Sequence, residues 1–169
     1  AACVKGFKMS ESEILRKIAV IFVTDVVGFS TLMAQNEELT LRSFRSCKEI
    51  LDNLFEEHSG RIFNTAGDSV LAEFPSAVSA VICAVEFQKL IKARNASVPN
   101  AAQMQFRIGL NMGDVIIEGT NLYGDGVNVA ARLEALSQAG GVCLSKSIHD
   151  FVSQKVDLGF QDIGAQQVK

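Results

Sequence analysis

Residues 18–24 read IAVIFVT, a continuous apolar run that ends at Asp25. A short run that is rich in β-branched residues and bounded by a polar residue is typical of a strand buried on both faces of a sheet. The chain continues as VVGFS over residues 26–30, where a glycine leads into a short helical pattern at 28–36. The sequence therefore predicts a central buried strand that places Asp25 at a sheet edge, directly before a helix N-terminus.

The remaining sequence alternates between helical and strand patterns. Apolar residues recur at spacings of three and four over 37–58, which indicates an amphipathic helix. This alternation favours an α+β fold, a ferredoxin-like sandwich with a mixed, mainly antiparallel sheet and helices packed on it, rather than a doubly wound parallel fold. We expect one domain over 17–169, preceded by an N-terminal extension at 1–16. The other predicted helices are 10–15, 76–94, 125–138 (with Val129, Leu133 and Leu136 as its core face) and 146–153; the predicted strands are a hairpin of 61–65 and 69–74, a second hairpin of 105–112 and 115–119 around Gly113-Asp114, a strand at 142–145, and a strand pair within 158–169.

The composition excludes several classes of protein. The chain has 169 residues, 48% of them hydrophobic, and a formal net charge of −3. This apolar content excludes a disordered chain, and the mildly acidic balance argues against nucleic acid or an anionic membrane surface as a partner. The four cysteines form no CxxC pair and no apolar run approaches the roughly 20 residues that span a bilayer, so we expect a cytoplasmic domain without a disulfide framework. Only His58 and His149 could serve a histidine-dependent nucleophile, and this scarcity of histidine argues against nucleophilic catalysis.

A second acidic residue could meet Asp25. The segment FNTAGDSVLAEF (63–74) places Asp68 after Gly67, in the connection between two predicted strands. An aspartate after glycine is common in ordinary turns, and Asp25 could equally be the N-cap of the following helix. If one of the two strands pairs with residues 18–24, however, the two carboxylates converge and repel each other unless cations lie between them. Two divalent metal ions, Mg²⁺ or Mn²⁺, about 3.5–4 Å apart would relieve that repulsion and support phosphoryl transfer.

A third motif is YGDGVNVAARLE (123–134). Asn128 and Arg132 are four residues apart in a predicted helix and therefore lie on one face of it. An amide and a guanidinium one turn apart can bind a sugar and a phosphate together, since the planar fork of arginine donates two parallel hydrogen bonds. The alternative is a solvated helix face on which Arg132 and Glu134 are ordinary surface charges.

Together, the three motifs resemble the catalytic domain of class III nucleotidyl cyclases, the family of adenylyl and guanylyl cyclases. The resemblance covers about residues 17–169, and the order and spacing of the motifs agree with that family. It implies that Asp25 and Asp68 bind the two metal ions, that Asn128 orients the ribose, and that Arg132 stabilises the transition state at the α-phosphate. The family's closing strand would come after the last residue and is absent from this sequence. The implied contacts to the triphosphate are the backbone of Val26, Val27, Gly28, Phe29 and Ser30, and the side chain of Lys169.

The resemblance also identifies the positions that would bind the base. The family often has a lysine four residues before the second metal aspartate, where this chain has Asn64, and an aspartate or threonine seven residues before the ribose asparagine, where it has Asn121. The Asn64 amide could donate to N1 of adenine and the Asn121 carbonyl could accept from the 6-amino group, although flipped amides would serve guanine. The expected substrate is therefore ATP, with GTP as the alternative.

The implied reaction is intramolecular. The ribose 3′-hydroxyl attacks the α-phosphate, pyrophosphate leaves, and a 3′,5′-cyclic nucleotide forms. In the family, the metal aspartates of one chain face the base and ribose residues of another, so the resemblance implies a head-to-tail homodimer with composite sites. Asn64 and Asp68 agree with this arrangement, because they flank one turn yet would serve opposite ends of an extended nucleotide. The alternative is a non-catalytic dimerisation or nucleotide-sensing module of the same fold.

Overall fold

The computed structural model describes residues 1–4, 6 and 14–166. All the helices and strands predicted between residues 18 and 94 are present, with their ends within two residues of the predicted ones. The elements are β1 (Arg16–Val26), α1 (Phe29–Gln35), α2 (Glu37–Glu57), β2 (Arg61–Ala66), β3 (Ser69–Phe74), α3 (Ala77–Ala96), a short 3-10 helix (Asn100–Ala102), β4 (Phe106–Glu118), β5 (Asn121–Tyr123), α4 (Asp125–Leu136), β6 (Val142–Leu144) and α5 (Lys146–Val152).

β1 is the central strand of the sheet, as its sequence predicts. It pairs antiparallel with β3 on one side and with β4 on the other. The strand order is β2-β3-β1-β4-β5, and β6 pairs parallel with β4. The mixed, mainly antiparallel sheet with helices packed on it confirms the predicted α+β class.

Helices cover both faces of this sheet. On one face, α2, α3 and α5 pack over an aromatic cluster in which the ring of Phe22 lies 5.1 Å from that of Phe55 and 5.7 Å from that of Phe74. On the other face, α4 packs against a second core that includes Ile21 and Val23. Because successive residues of a strand point to opposite faces, the apolar run of β1 supplies both cores.

α4 lies directly on the backbone of β4. A Cβ atom at Gly109 would lie 2.2 Å from the carbonyl oxygen of Ala130 and 2.3 Å from the amide nitrogen of Glu134, so the contact requires glycine. Near the start of the helix, the buried side chain of Asn111 donates a 2.9 Å hydrogen bond to the carbonyl oxygen of Gly126. These two contacts fix the rotation of α4 on the sheet and hence the positions of the side chains that it carries.

The predicted hairpin around Gly113 is wrong. β4 continues without a turn, because Gly113 and Asp114 pair with Ala19 and Ile18 of β1. The chain turns later, at Gly119, whose φ of +60° favours glycine. A Gly-Asp pair favours a turn locally, but β1 is long enough to pair with these two residues and keep them extended.

The core face of α4 also differs from the prediction. Leu133 is buried as expected, but Val129 is only half-buried and Leu136 is 43% exposed. The close contact at Gly109 turns Glu134 towards the sheet instead. The reading of Glu134 as an ordinary surface charge is therefore wrong, because the glycine contact, rather than the spacing of apolar residues, sets the rotation of the helix.

The predicted strand pair within 158–169 is wrong over its described part. No strand forms over residues 153–166, and Leu158 and Phe160 pack against the main core instead. The ring of Phe160 lies edge-on to that of His149 in α5, with centroids 4.9 Å apart. Residues 167–169 are outside the described part of the chain.

The predicted helix at 10–15 lies mostly outside the described residues, and Ile14 and Leu15 at its end are not helical. Among the helices that the structure describes, none is both long and apolar enough to cross a membrane.

Candidate active site

Asp25 and Asp68 lie at the same edge of the sheet. Asp25 is the last residue but one of β1, and its side chain is 18% exposed. Asp68 lies in the turn between β2 and β3, where Gly67 has a φ of +59°. Oδ2 of Asp68 accepts a 2.9 Å hydrogen bond from the backbone N–H of Val26, the residue that follows Asp25. The pairing of β3 with β1 thus brings two carboxylates from distant parts of the sequence together.

Arg107 holds the Asp25 carboxylate with two hydrogen bonds. It lies opposite Asp25 in the pairing of β1 with β4. Its Nε donates to Oδ1 at 3.2 Å and its Nη2 donates to Oδ2 at 2.9 Å. The hydrogen bonding to Asp25 and the negative charge of Glu134 raise the pKa of the guanidinium above its ordinary value. Arg107 was not among the predicted site residues, although a charged residue between buried Phe106 and Ile108 in an apolar strand is a signal that could have found it.

Glu134 brings a third carboxylate to this cluster. The residue is 7% exposed, and its Oε1 lies 3.0 Å from Nε of Arg107. That oxygen accepts no hydrogen bond from the described residues, since the Nε–H is directed at Asp25. Burial, followed by the hydrogen bond to Asp25 and the negative charges of Asp25 and Asp68, raises the pKa of Glu134 to about 8, against the opposing effect of Arg107.

The cluster has the chemistry of a divalent cation site. Three carboxyl groups, those of Asp25, Asp68 and Glu134, share one guanidinium, and the raised pKa of Glu134 shows that this cluster resists a third negative charge when no further cation is near. Carboxylate oxygens are the ligands that Mg²⁺ and Mn²⁺ prefer. The buried Oε1 of Glu134 accepts no hydrogen bond from the described residues, and an unsatisfied buried oxygen is costly. The residues present therefore fit divalent metal ions, and Asp25 and Asp68 are the pair that would hold them.

The first two backbone N–H groups after Asp25 already have hydrogen-bond partners within the protein. The N–H of Val26 donates to Asp68, and the N–H of Val27 donates to the carbonyl oxygen of Gln105 at 2.8 Å. Both N–H groups already donate within the protein, and the contact of Val26 and Val27 with phosphate stays a prediction. The rest of the predicted set, Gly28, Phe29 and Ser30, forms the start of α1, and Gly28 has a φ of +66°.

Asn128 and Arg132 lie on the exposed face of α4. Residues two positions apart are about 200° apart around a helix, so Arg132 and Glu134 lie on nearly opposite faces. The face with Glu134 packs next to Asp25. The chain therefore brings Asp25 and Asp68 together at the sheet edge. It presents Asn128 and Arg132 on a side of α4 other than the one that carries Glu134.

The two asparagines predicted to bind the base lie on the two outermost strands of the order β2-β3-β1-β4-β5. Asn64 is exposed on β2, directly after a β-bulge. In β5, Oδ1 of Asn121 accepts from the backbone N–H of Leu122 at 2.8 Å, and its Nδ2 donates to the hydroxyl of Tyr123 at 3.0 Å. Lys169 is outside the described residues.

A comparison with protein families decides the identity of the fold. The family described as the adenylate and guanylate cyclase catalytic domain matches residues 10–169. The chain belongs to this class III cyclase family. Among curated proteins, the cyclase domain is 43% identical over 162 residues to "Putative adenylate cyclase 3" of Rhizobium meliloti, covering 95% of this chain. It is 29% identical over 133 residues to the adenylate cyclase of Streptomyces coelicolor, covering 78% of this chain. The chain spans only 28% of the Rhizobium protein and 33% of the Streptomyces protein.

Solved structures give the same family. An adenylate/guanylate cyclase/hydrolase from Silicibacter pomeroyi superposes with a TM-score of 0.84 at 37% identity, covering 93% of this chain and 92% of that one. A bacterial light-regulated adenylyl cyclase has a TM-score of 0.81 at 24% identity, which shows the shared fold alone; the match covers 94% of this chain and 51% of that one.

Proposed function

We propose that this cyclase domain converts ATP into 3′,5′-cyclic AMP and pyrophosphate. The observation that carries the proposal is the meeting of Asp25 and Asp68 in a cluster of three carboxylates with one arginine. Such a cluster provides oxygen ligands for two divalent metal ions, Mg²⁺ or Mn²⁺, and contains no serine, cysteine or histidine side chain. It therefore suits a reaction in which the substrate's own hydroxyl attacks a phosphate.

The side chains have separate roles in this proposal. When bound by Asp25 and Asp68, divalent ions would lower the pKa of the ribose 3′-hydroxyl and neutralise charge on the triphosphate. Arg132 donates hydrogen bonds to the charge that develops at the α-phosphate, and Asn128 holds the ribose so that its 3′-hydroxyl faces that phosphate. The N–H groups of Gly28, Phe29 and Ser30 at the start of α1, together with Lys169, are the proposed contacts to the remaining phosphates.

The placement of Arg132 supports a site shared between two chains. In one chain, Arg132 lies on nearly the opposite face of α4 from Glu134, which packs beside Asp25. A head-to-tail homodimer would let Asp25 and Asp68 of one protomer face Asn128 and Arg132 of its partner, giving two equivalent sites. Related solved structures are described as a non-canonical dimeric and as a monomeric guanylyl cyclase domain; at 23% and 24% identity, both support the fold alone.

The choice of ATP over GTP rests on Asn64, Asn121 and the relatives named as adenylate cyclases. An amide at each position can present a donor to N1 and an acceptor to the 6-amino group of adenine. We place the reaction in the cytoplasm, where nucleoside triphosphates are available. Incubation of the protein with Mn²⁺ and either ATP or GTP, followed by mass identification of the products, tests both the activity and the base. Cyclic GMP as the main product would reject the ATP assignment and keep the cyclase assignment.

A second candidate is a nucleotide-sensing module without catalysis. The observation that favours it is the engagement of both polar groups of the Asn121 side chain by Leu122 and Tyr123, which leaves less capacity to bind a base. In that case Mn²⁺ and ATP together would raise the melting temperature, but no cyclic nucleotide would form.

The metal assignment predicts that Asp25→Asn and Asp68→Asn each abolish Mn²⁺-dependent formation of cyclic nucleotide. Each substitution keeps the size of the side chain but removes the negative charge that binds the cation. Asp114→Asn is the matched control, because Asp114 is an exposed aspartate of β4 that forms an ion pair with Arg16 near the start of β1, whereas Asp25 lies near its end. Initial rates at saturating Mn²⁺ and ATP are the measurement, and wild-type turnover in either test variant would refute the assignment.

A further inference from the structure

Arg107 occupies the same oxygens of Asp25 that a metal ion would need. The guanidinium donates to Oδ1 and to Oδ2, at 3.2 and 2.9 Å, so it binds both oxygens of the carboxylate. A cation that is coordinated by Asp25 must displace at least one of these hydrogen bonds. The cation would also lie close to the guanidinium of Arg107, which stays protonated and positively charged at every physiological pH.

A second acceptor for Arg107 lies within reach. Oε1 of Glu134 is 3.0 Å from the Nε that now donates to Asp25, yet it accepts no hydrogen bond from the described residues. A small rotation of the guanidinium would direct the Nε–H from Asp25 to Glu134. The rotation would satisfy a buried oxygen that now lacks a hydrogen bond.

The fold fixes the two acceptors relative to Arg107. Asp25 lies opposite Arg107 in the pairing of β1 with β4. Arg107 and Gly109 are two residues apart on β4 and so lie on the same face of the sheet. The backbone of Glu134 rests on Gly109, where a Cβ atom would lie 2.3 Å from the Glu134 amide nitrogen. Arg107 is therefore held between one acceptor in the sheet and one on the helix.

We propose that Glu134 is a positioning residue that accepts the guanidinium of Arg107 when a divalent cation binds Asp25. Without the cation, Arg107 neutralises Asp25; with it, Arg107 turns to Glu134 and leaves the Asp25 oxygens to the metal. The inference rests on the proposed role of Asp25 as a metal ligand. It adds that cation binding and the movement of Arg107 are coupled, so that Glu134 affects metal affinity through Arg107.

A double-mutant cycle tests this coupling without any measurement of activity. The affinity for Mn²⁺ in the absence of nucleotide is measured from the electron paramagnetic resonance signal of free Mn²⁺. The proteins are the wild type, Arg107→Gln, Glu134→Gln and the double variant, all at one pH above 8, where Glu134 is ionised. Arg107→Gln should tighten binding, because the competing charge is gone. Glu134→Gln should weaken binding by roughly tenfold, a coupling within the range for side chains of one ion-pair network.

The double variant decides between a coupled and a direct effect. If Glu134 acts through Arg107, Glu134→Gln has no further effect once Arg107 is replaced. If Glu134→Gln lowers the Mn²⁺ affinity equally in the wild type and in Arg107→Gln, Glu134 acts on the cation directly. If it lowers the affinity in neither protein, Glu134 has no role. Both results overturn the proposal.

Two controls keep the test specific. Glu73→Gln removes a partly buried, ion-paired carboxylate that contacts Lys17 and Arg61, and it should leave Mn²⁺ affinity unchanged. An equal loss in this variant would show an effect of net charge alone and would also overturn the proposal. Asp25→Asn tests the metal assignment separately from the role of Glu134. If this variant binds Mn²⁺ as tightly as the wild type, the metal assignment itself fails.

Discussion

At the scale of single residues, α4 carries two neighbouring charges in opposite environments. Arg132 is exposed, whereas Glu134 is buried beside Asp25 and Arg107. Arg132 forms no part of either core, so its removal should not disturb the packing of the core. Glu134 is different, because its carboxylate belongs to a buried charge network whose members depend on one another.

We predict that Arg132→Ala lowers kcat by on the order of 10³-fold and changes KM little. The reason is the proposed role of Arg132, in which the guanidinium would donate to charge that develops only in the transition state, as arginine does in phosphoryl-transfer enzymes. Steady-state kinetics with Mn²⁺ and ATP separate the two constants.

Arg42→Ala is the matched control for this prediction. Arg42 is also an exposed helical arginine, and it pairs with Glu38 one turn earlier in α2. It should leave both constants unchanged. A variant at 132 in which KM rises and kcat does not fall would show that Arg132 binds ground-state substrate instead.

At the scale of secondary-structure elements, the sequence predicts what depends on local pattern. β1, β2 and β3 were predictable because an apolar run or an alternation, bounded by Ser59-Gly60 or Gly67, is contained in each segment. The position of Asp25 and Asp68 at strand ends was predictable for the same reason. Their meeting follows once β3 pairs with β1.

Features that depend on a neighbouring element were not predictable from local pattern. Gly113 continues β4 because β1 pairs with it, and Glu134 is buried because α4 rests on Gly109. Arg107 belongs to the site because the register places it opposite Asp25. Each of these facts is set by which strand or helix lies alongside, and that information is not contained in the segment itself.

The contact of α4 with β4 predicts that Gly109→Ala destabilises the domain by about 3 kcal/mol, the upper end for overpacked sites. The new methyl group would meet backbone atoms of Ala130 and Glu134, which cannot move without shifting the whole helix. Urea unfolding measures the loss. Gly159→Ala is the control, because a Cβ atom there meets nothing within 4 Å. Equal stability of the two variants would contradict the close contact.

One ion-pair cluster joins three strands near the start of β1, the end that is remote from Asp25. Glu73 in β3 contacts Lys17 in β1 at 2.8 Å and Arg61 in β2 at 2.7 Å. Burial alone would raise the pKa of Glu73, but the hydrogen bonds and charges of its two partners outweigh that effect and lower the pKa below its ordinary value of 4.5. A lowered pKa in the folded state means that the ionised carboxylate stabilises the fold.

We therefore predict a pH-dependent effect of Glu73→Gln. The wild type should exceed the variant in unfolding free energy by about 1 kcal/mol at neutral pH, since the cluster is partly exposed. This difference is fully present above the unfolded pKa near 4.5 and is lost as the pH falls through the lower folded value. Urea unfolding of both proteins at pH 7 and at about pH 3 measures it. A difference that persists at the lower pH would mean that the glutamate stabilises the sheet by packing rather than by charge.

At the scale of the whole molecule, one chain carries both halves of the proposed site on separate surfaces. Asp25 and Asp68 lie at a sheet edge, while Asn128 and Arg132 lie on the exposed face of α4. Two chains related by a two-fold axis can place Asp25 and Asp68 of one chain against Asn128 and Arg132 of the other. Every dimer then has two equivalent sites. In that arrangement, a variant that lacks the metal ligands and a variant that lacks Arg132 have lost different halves.

The two variants should therefore complement each other when mixed. Asp25→Asn and Arg132→Ala are each inactive alone, but a mixed dimer has one site with both defects and one site with none. In a 1:1 mixture with free exchange of subunits, half of the dimers are mixed and each has one intact site, so activity should recover to about a quarter of that of the wild type. Two different affinity tags, purified in sequence, isolate the mixed dimers; in that fraction one site of every two is intact, so its rate of cyclic nucleotide formation should be about half of that of the wild type. Mixed dimers without activity would mean that each site is built from a single chain, and Arg132 would then have to reach Asp25 by a movement of α4 rather than across an interface.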